Sequence, residues 1–181
     1  MDAARRVRLS KWLSLVLRHQ PESIGVSLDG AGWIPVKDLL SALSAHGERV
    51  SRDDLAELVR TSDKQRFAFD ETGERIRANQ GHSVAIDLAL PKATPPPRLF
   101  HGTPQRFLDA IRKEGLIKGE RHHVHLSSDE ATAKNVGQRR GAAVALQVCA
   151  GDMANDGHVF YRSANGVWLT AHVPPRFIVF P

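Results

Sequence analysis

The chain has 181 residues, 25 of them lysine or arginine and 20 aspartate or glutamate, for a formal net charge of +5 with histidine neutral. That length holds one domain or two small ones at roughly 100–200 residues each, and an apolar content of 41% excludes a disordered chain. A single cysteine, Cys149, excludes an internal disulfide framework and a cysteine-based zinc finger, and no apolar run approaches the ~18 residues of a membrane-spanning helix.

The segment Met1-Asp2-Ala3-Ala4-Arg5-Arg6 lacks the apolar block of a signal peptide, so a reduced, cytoplasmic location with no membrane association is expected. Val7, Leu9, Trp12, Leu13, Val16 and Leu17 then recur at helical spacing, and Pro21 stops that helix. Gly30-Ala31-Gly32 reads as a turn, and Val36, Leu39, Leu40 and Leu43 as a short second helix. Ser51-Arg52-Asp53-Asp54 has the form of a capping box and opens a third helix through Leu55, Leu58 and Val59. A hairpin follows: Arg66–Phe69 alternates, Asp70–Gly73 turns, and Glu74–Ala78 returns. Three helices and a hairpin is the order of a winged helix, a fold that often binds nucleic acid.

Leu90-Pro91-Lys92-Ala93-Thr94-Pro95-Pro96-Pro97 is an extended connector, because proline lacks a donor and disfavours helix in the residue before it. It divides the chain into a unit over 1–90, a linker over 91–97 and a unit over 98–181. Beyond it, a strand at Arg98–His101 precedes a helix carrying Phe107, Ala110 and Ile111 and closed by Gly115. His123–Ser127 alternates as a strand, and Asp129–Val136 is a helix capped by Ser127 or Ser128 and ended by Gly137. Strands at 142–148, 158–161, 167–170 and 177–180 complete an α+β half.

Four constellations carry possible chemistry. Arg18-His19 ends the first helix, where the helix carbonyls also favour cations for purely structural reasons. Arg66 begins a strand, with Phe67 and Phe69 on one face and the arginine on the other. It is either a phosphate clamp or a solvated strand arginine. Gly81-His82-Ser83 offers a bend and two polar groups. His101-Gly102-Thr103-Pro104 reads as a strand end leading into a helix, with a glycine that admits a ligand and helix-start amides for a phosphate or carboxamide. Arg121-His122-His123-Val124-His125-Leu126-Ser127 places His123 and His125 on one strand face. No cysteine or acidic cluster completes a metal site there, and a nucleotide pocket suits Arg121 and Ser127 better. Gly137-Gln138-Arg139-Arg140-Gly141 adds a basic loop, and the pI near 9.8 suits a polyanionic partner. Cys149 reads as a packed thiol rather than a nucleophile.

Taken in order, Leu9–Ser14, Leu17-Arg18-His19, Lys64–Phe67, Ala78–Ser83, His101-Gly102-Thr103, His123–Ser127, Asn165–Thr170 and Val173-Pro174-Pro175 resemble the RNA 2′-phosphotransferase family across nearly the whole chain. The resemblance implies an α+β protein, with an N-terminal winged-helix lobe for RNA joined to a C-terminal ADP-ribosyltransferase-like lobe for NAD. It implies transfer of an RNA 2′-phosphate, of the tRNA splice-junction type, to NAD as co-substrate. The products are 2′-hydroxyl RNA, nicotinamide and ADP-ribose 1″,2″-cyclic phosphate, reached through an ADP-ribosylated RNA. It places catalytic roles on Arg18, His19, Arg66 and Arg121, and NAD contacts on His101, Gly102, Thr103, His125, Ser127 and Arg140. Val167 stands near where many ADP-ribosyltransferases carry a glutamate, as in the phosphotransferase family, and Lys118-Gly119-Glu120 departs from the more apolar run expected before Arg121. No metal and no obligatory protein partner is implied. Competing readings are a non-enzymatic winged-helix regulator, an ADP-ribosyltransferase that stops after modifying its acceptor, and a metal protein using His123 and His125.

Overall fold

A computed structural model describes residues 1–62, 64–138 and 141–181. The chain divides into two compact units, Met1–Ala89 and Leu90–Pro181. Each has its own buried apolar cluster.

In the first unit α1 spans Ala3–Arg18, its start fixed by Asp2, whose carboxylate accepts from the Arg5 amide. Leu9, Leu13, Val16 and Leu17 bury one stripe of it. Val7 shares their spacing but is 55% exposed and lies outside the core. Pro21 opens a short 3-10 turn rather than continuing the helix. A two-residue strand, β1 (Ile34–Pro35), leads directly into α2 (Val36–Ala45). It escapes sequence reading because two residues show no periodicity. The Ser51–Asp54 capping box forms as expected and opens α3 (Arg52–Thr61). β2 (Phe67–Phe69) and β3 (Arg75–Ala78) form the hairpin, and β3 lies between β1 and β2 in an antiparallel sheet. Ile34 opposes Ile76 and Phe67 opposes Ala78, so all four face the helices and bury the inner side of the sheet.

In the second unit the proline-rich segment is extended and pinned. Ala93 N donates to Phe160 O at 2.9 Å, Gly151 N donates to Pro97 O at 3.1 Å, and Pro95 is buried. Six-residue β4 (Leu99–Pro104) follows, then a 3-10 turn, α4 (Leu108–Glu114) and the short β5 (Leu116–Ile117). Next come β6 (Val124–Leu126), α5 (Glu130–Gly137), β7 (Ala143–Val148), α6 (Ala150–Asn155), β8 (Phe160–Arg162), β9 (Trp168–Thr170), β10 (His172–Val173) and β11 (Ile178–Val179). They form small antiparallel sheets ordered β11-β7-β4, β6-β9-β8 and β10-β5, an α+β architecture. Four short elements (β1, β5, α6 and β10) went unread, and Phe107 is 41% exposed instead of lying on the buried face of α4.

Two corrections bear on function. The α5 cap is Asp129, whose carboxylate accepts from the Thr132 amide at 2.7 Å, not Ser127 or Ser128. The strand through His101 does not end there. His101, Gly102 and Thr103 pair with Leu146, Ala145 and Val144 of β7, so this tripeptide lies inside a ladder and offers no helix-start amides. The period of two was too brief in sequence to show that β4 continues to Pro104.

Gly102 is required by packing. A Cβ there would stand 1.7 Å from the Ala133 carbonyl oxygen of α5, and one on Gly137 would stand 2.8 Å from the Gly102 carbonyl carbon. The helix and strand meet backbone to backbone through these two glycines. The space beside Gly102 is therefore filled by α5, not held open for a ligand.

Candidate functional site

In the first unit, Arg18 is the last residue of α1 and His19 its C-cap. The chain after β3 comes back to them. Ser83 N donates to the Arg18 carbonyl at 2.9 Å, and Ser83 Oγ lies 2.9 Å from His19 Nδ1. Arg66 stands just before β2, where its Nη1 donates to Ser10 Oγ at 3.5 Å. Ser10 lies eight residues before Arg18 on α1, and at 3.6 residues per turn the two share a helix face. Asn79, at the other end of the same returning segment, holds the Arg66 turn. Its amide N donates to the Arg66 carbonyl at 2.9 Å, and its side-chain amide donates to the Gln65 carbonyl at 2.5 Å. Five consecutive residues, 79–83, thus tie down both the Arg66 turn and the Arg18-His19 helix end. Ser10 and Asn79 lie within the motifs Leu9–Ser14 and Ala78–Ser83, but neither was assigned a role from the sequence. Ser10's helical register with Arg18 was the available signal.

In the second unit, β4 and β6 meet through a two-way backbone pair. Phe100 N donates to Ser127 O at 2.9 Å, and Ser127 N donates to Phe100 O at 2.8 Å. Beside it, His101 Nδ1 lies 3.0 Å from the His125 carbonyl. A carbonyl only accepts, so Nδ1 carries the hydrogen. Burial pushes the His101 imidazole below its ordinary value and the Arg121 charge acts the same way, while the bond to His125 opposes both. His101 is therefore neutral near pH 7 and presents Nε2 as an acceptor.

Arg121, on the exposed loop before β6, donates from Nη1 to His125 Nδ1 at 3.3 Å. A guanidinium only donates, so His125 carries its hydrogen on Nε2 and presents a donor. Thr103 is 4% exposed and shares the β4 face with His101, opposite Gly102 and α5. His101, His125, Arg121 and Ser127 are thereby brought together, and Thr103 lies two residues along the same strand. Arg140, also expected to contact the cofactor, lies outside the described residues.

His123 packs edge-on against Tyr161, with ring centroids 5.3 Å apart. Among the described residues no group of three or more His, Cys, Asp or Glu is arranged to hold a metal ion. Cys149 lies one residue past β7, partly buried against the apolar cluster. No described helix is long and apolar enough to cross a membrane.

The sequence model of the RNA 2'-phosphotransferase, Tpt1 / KptA family matches residues 4–172. The chain belongs to this family. It is 56% identical to a probable RNA 2'-phosphotransferase of Streptomyces coelicolor, over 100% of this chain and 98% of that one. Comparable proteins of the same description occur in Trichormus variabilis and Pseudomonas paraeruginosa. Each is 52% identical, over 98% of this chain and 98% of theirs. Membership in the RNA 2'-phosphotransferase family makes the chain an enzyme of that kind, with RNA as its substrate class and removal of the 2′-phosphate as its reaction. It decides against the non-enzymatic regulator.

Proposed function

We propose that this member of the family transfers the RNA 2′-phosphate to NAD, giving 2′-hydroxyl RNA, nicotinamide and ADP-ribose 1″,2″-cyclic phosphate by way of an ADP-ribosylated RNA. The observation that carries the NAD reading is the neutral, tautomer-fixed His101 at the junction of β4 and β6.

The donor set there fits the polar periphery of NAD. His101 Nε2 accepts, His125 Nε2 donates, and the hydroxyls of Thr103 and Ser127 do either, which suits carboxamide and ribose hydroxyls. Gly102 belongs to this reading through the close seating of α5 against β4. When bound, NAD supplies an anomeric carbon that already bears its nicotinamide leaving group.

The guanidinium groups of Arg18, Arg66 and Arg121 neutralise phosphoryl oxygens as charge develops on them. His19 has Nδ1 beside Ser83, so Nε2 is the ring atom that delivers a hydrogen bond or proton to the departing RNA oxygen. In the first unit, the order helix, strand, helix, helix, hairpin with β3 central supports a winged-helix RNA module. In the second, helices set on small antiparallel sheets support an ADP-ribosyltransferase-like module. A cytoplasmic setting accords with the single, unpaired Cys149.

The test is incubation with NAD and an oligoribonucleotide bearing an internal 2′-phosphate, with products identified by mass. Nicotinamide and the cyclic phosphate are expected. Loss of the 2′-phosphate without nicotinamide release would refute the NAD reading while leaving the family reaction intact. A stable ADP-ribosylated RNA from the unaltered protein would favour the transferase that stops at its first step. Arg66→Ala and His19→Ala should each slow turnover by roughly 100-fold or more and accumulate ADP-ribosylated RNA. Wild-type rates in both would remove these residues from the machinery.

A further inference from the structure

We propose that Asn79 is the positioning residue that aims Arg66. The assignment deepens the catalytic reading of Arg66 and rests on it. Gln65, immediately before Arg66, has φ of +39°, a left-handed conformation that a side chain with a Cβ adopts at a cost. Among the described residues, three hydrogen bonds hold this turn beside the one from the Asn79 backbone amide to the Arg66 carbonyl. Gln65 N donates to Ser62 O at 2.8 Å, Arg66 N donates to Ser62 Oγ at 3.4 Å, and the Asn79 side-chain amide donates to Gln65 O at 2.5 Å. Of these three only the last comes from outside the turn, and the side chain that gives it is 5% exposed, so water cannot readily replace it.

Asn79 itself is imperfectly satisfied. Its Oδ1 is buried and has no hydrogen-bond partner among the described residues. Burying that oxygen opposes folding, as does the backbone of Gln65. Two unfavourable features therefore stand together on the residue before Arg66 and on the side chain that clamps it. The return on them is directional. With Gln65 left-handed, Arg66 leaves the ladder of β2 alongside α1 and reaches Ser10 on the helix face that ends in Arg18. Relaxation of Gln65 to an ordinary extended conformation would swing the Arg66 side chain off that face. Asn79 touches neither phosphate nor NAD in this account; it acts through the backbone of residue 65.

The experiment compares Asn79→Ala and Asn79→Asp, each alone and combined with Gln65→Gly, in the full chain. Asn79→Asp keeps the side-chain shape but turns the donor into an acceptor facing a carbonyl, so it serves if Asn79→Ala folds poorly. The first readout needs no substrate: the intraresidue amide–Hα NOE of Gln65, strong when φ is positive. It should weaken in both single variants. The second is turnover of the 2′-phosphorylated oligoribonucleotide with NAD. The turnover number should fall about ten-fold with KM for NAD unchanged, and ADP-ribosylated RNA should accumulate as in Arg66→Ala. Glycine adopts the left-handed backbone unaided, so Gln65→Gly should recover at least half of the lost activity on a logarithmic scale.

An unaltered NOE in the single variants, wild-type turnover by them, or no recovery by Gln65→Gly would each overturn the proposal. If Arg66→Ala itself turns over normally, the catalytic reading fails instead, and the NOE still decides whether Asn79 sets the turn.

Discussion

The candidate residues of the first unit stand at the ends of elements, and those of the second stand within or beside paired strands. Arg18 and His19 close a helix and Arg66 precedes a strand, and discrete hydrogen bonds from residues 79–83 tie down their backbone and the His19 ring. His101, Thr103 and His125 lie in register with β7 and β9, where neighbouring pairs hold each backbone position. The difference teaches where each set is vulnerable. The first is sensitive to loss of one donor, the second to anything that moves a strand.

The sharpest way to break this contrast is Gly102→Ala. Its Cβ would fall 1.7 Å from a backbone oxygen, so α5 must move off β4. Destabilisation of about 3 kcal/mol is expected from overpacking of this kind, read as a lowered denaturant midpoint. A midpoint within error of wild type would show that the ladder tolerates displacement after all.

Next in size is Ser83→Ala, which removes the hydroxyl beside His19 Nδ1 and leaves the Ser83 amide on Arg18 in place. Loss of one hydrogen bond predicts roughly a five-fold fall in turnover number, a stability loss of no more than about 1 kcal/mol, and recovery of both in Ser83→Thr. A stability loss with turnover unchanged would make Ser83 structural only.

The smallest effect concerns pH. Because His101 binds its proton less readily folded than unfolded, the unfolded chain takes up the extra proton as pH falls below about 6.5. Stability should therefore decline with falling pH through and below that value. His101→Gln should flatten the decline, read from thermal midpoints between pH 7 and pH 5. An identical slope in the variant would show that His101 is not held neutral by its surroundings.

Legibility followed the length of the local signal. The capping box at Ser51, the helix stop at Pro21 and the turn at Asp70–Gly73 are local rules, and each was readable. The two-residue strands were not, because they exist only through partners distant in the chain: Ile34 with Ile76, Leu116 with Val173. At the candidate site the residue types were legible as cations and imidazoles. Their polarity was not, since the tautomers of His101 and His125 depend on which group each ring meets. Gly102 was noticed for the wrong reason, because the α5 backbone that requires it is contributed by residues some thirty positions later.

By itself, the sequence determined every helix but α6, the hairpin and, through ordered motifs along nearly the whole chain, the family. These follow from propensity, periodicity and motif order, which are properties of neighbouring residues. Only the tertiary structure decided that β4 runs on to Pro104, that two glycines seat α5, and that the buried Asn79 side chain meets the Gln65 carbonyl. Each of those depends on a hydrogen bond or a steric limit between residues far apart in sequence, and no local pattern encodes such a meeting.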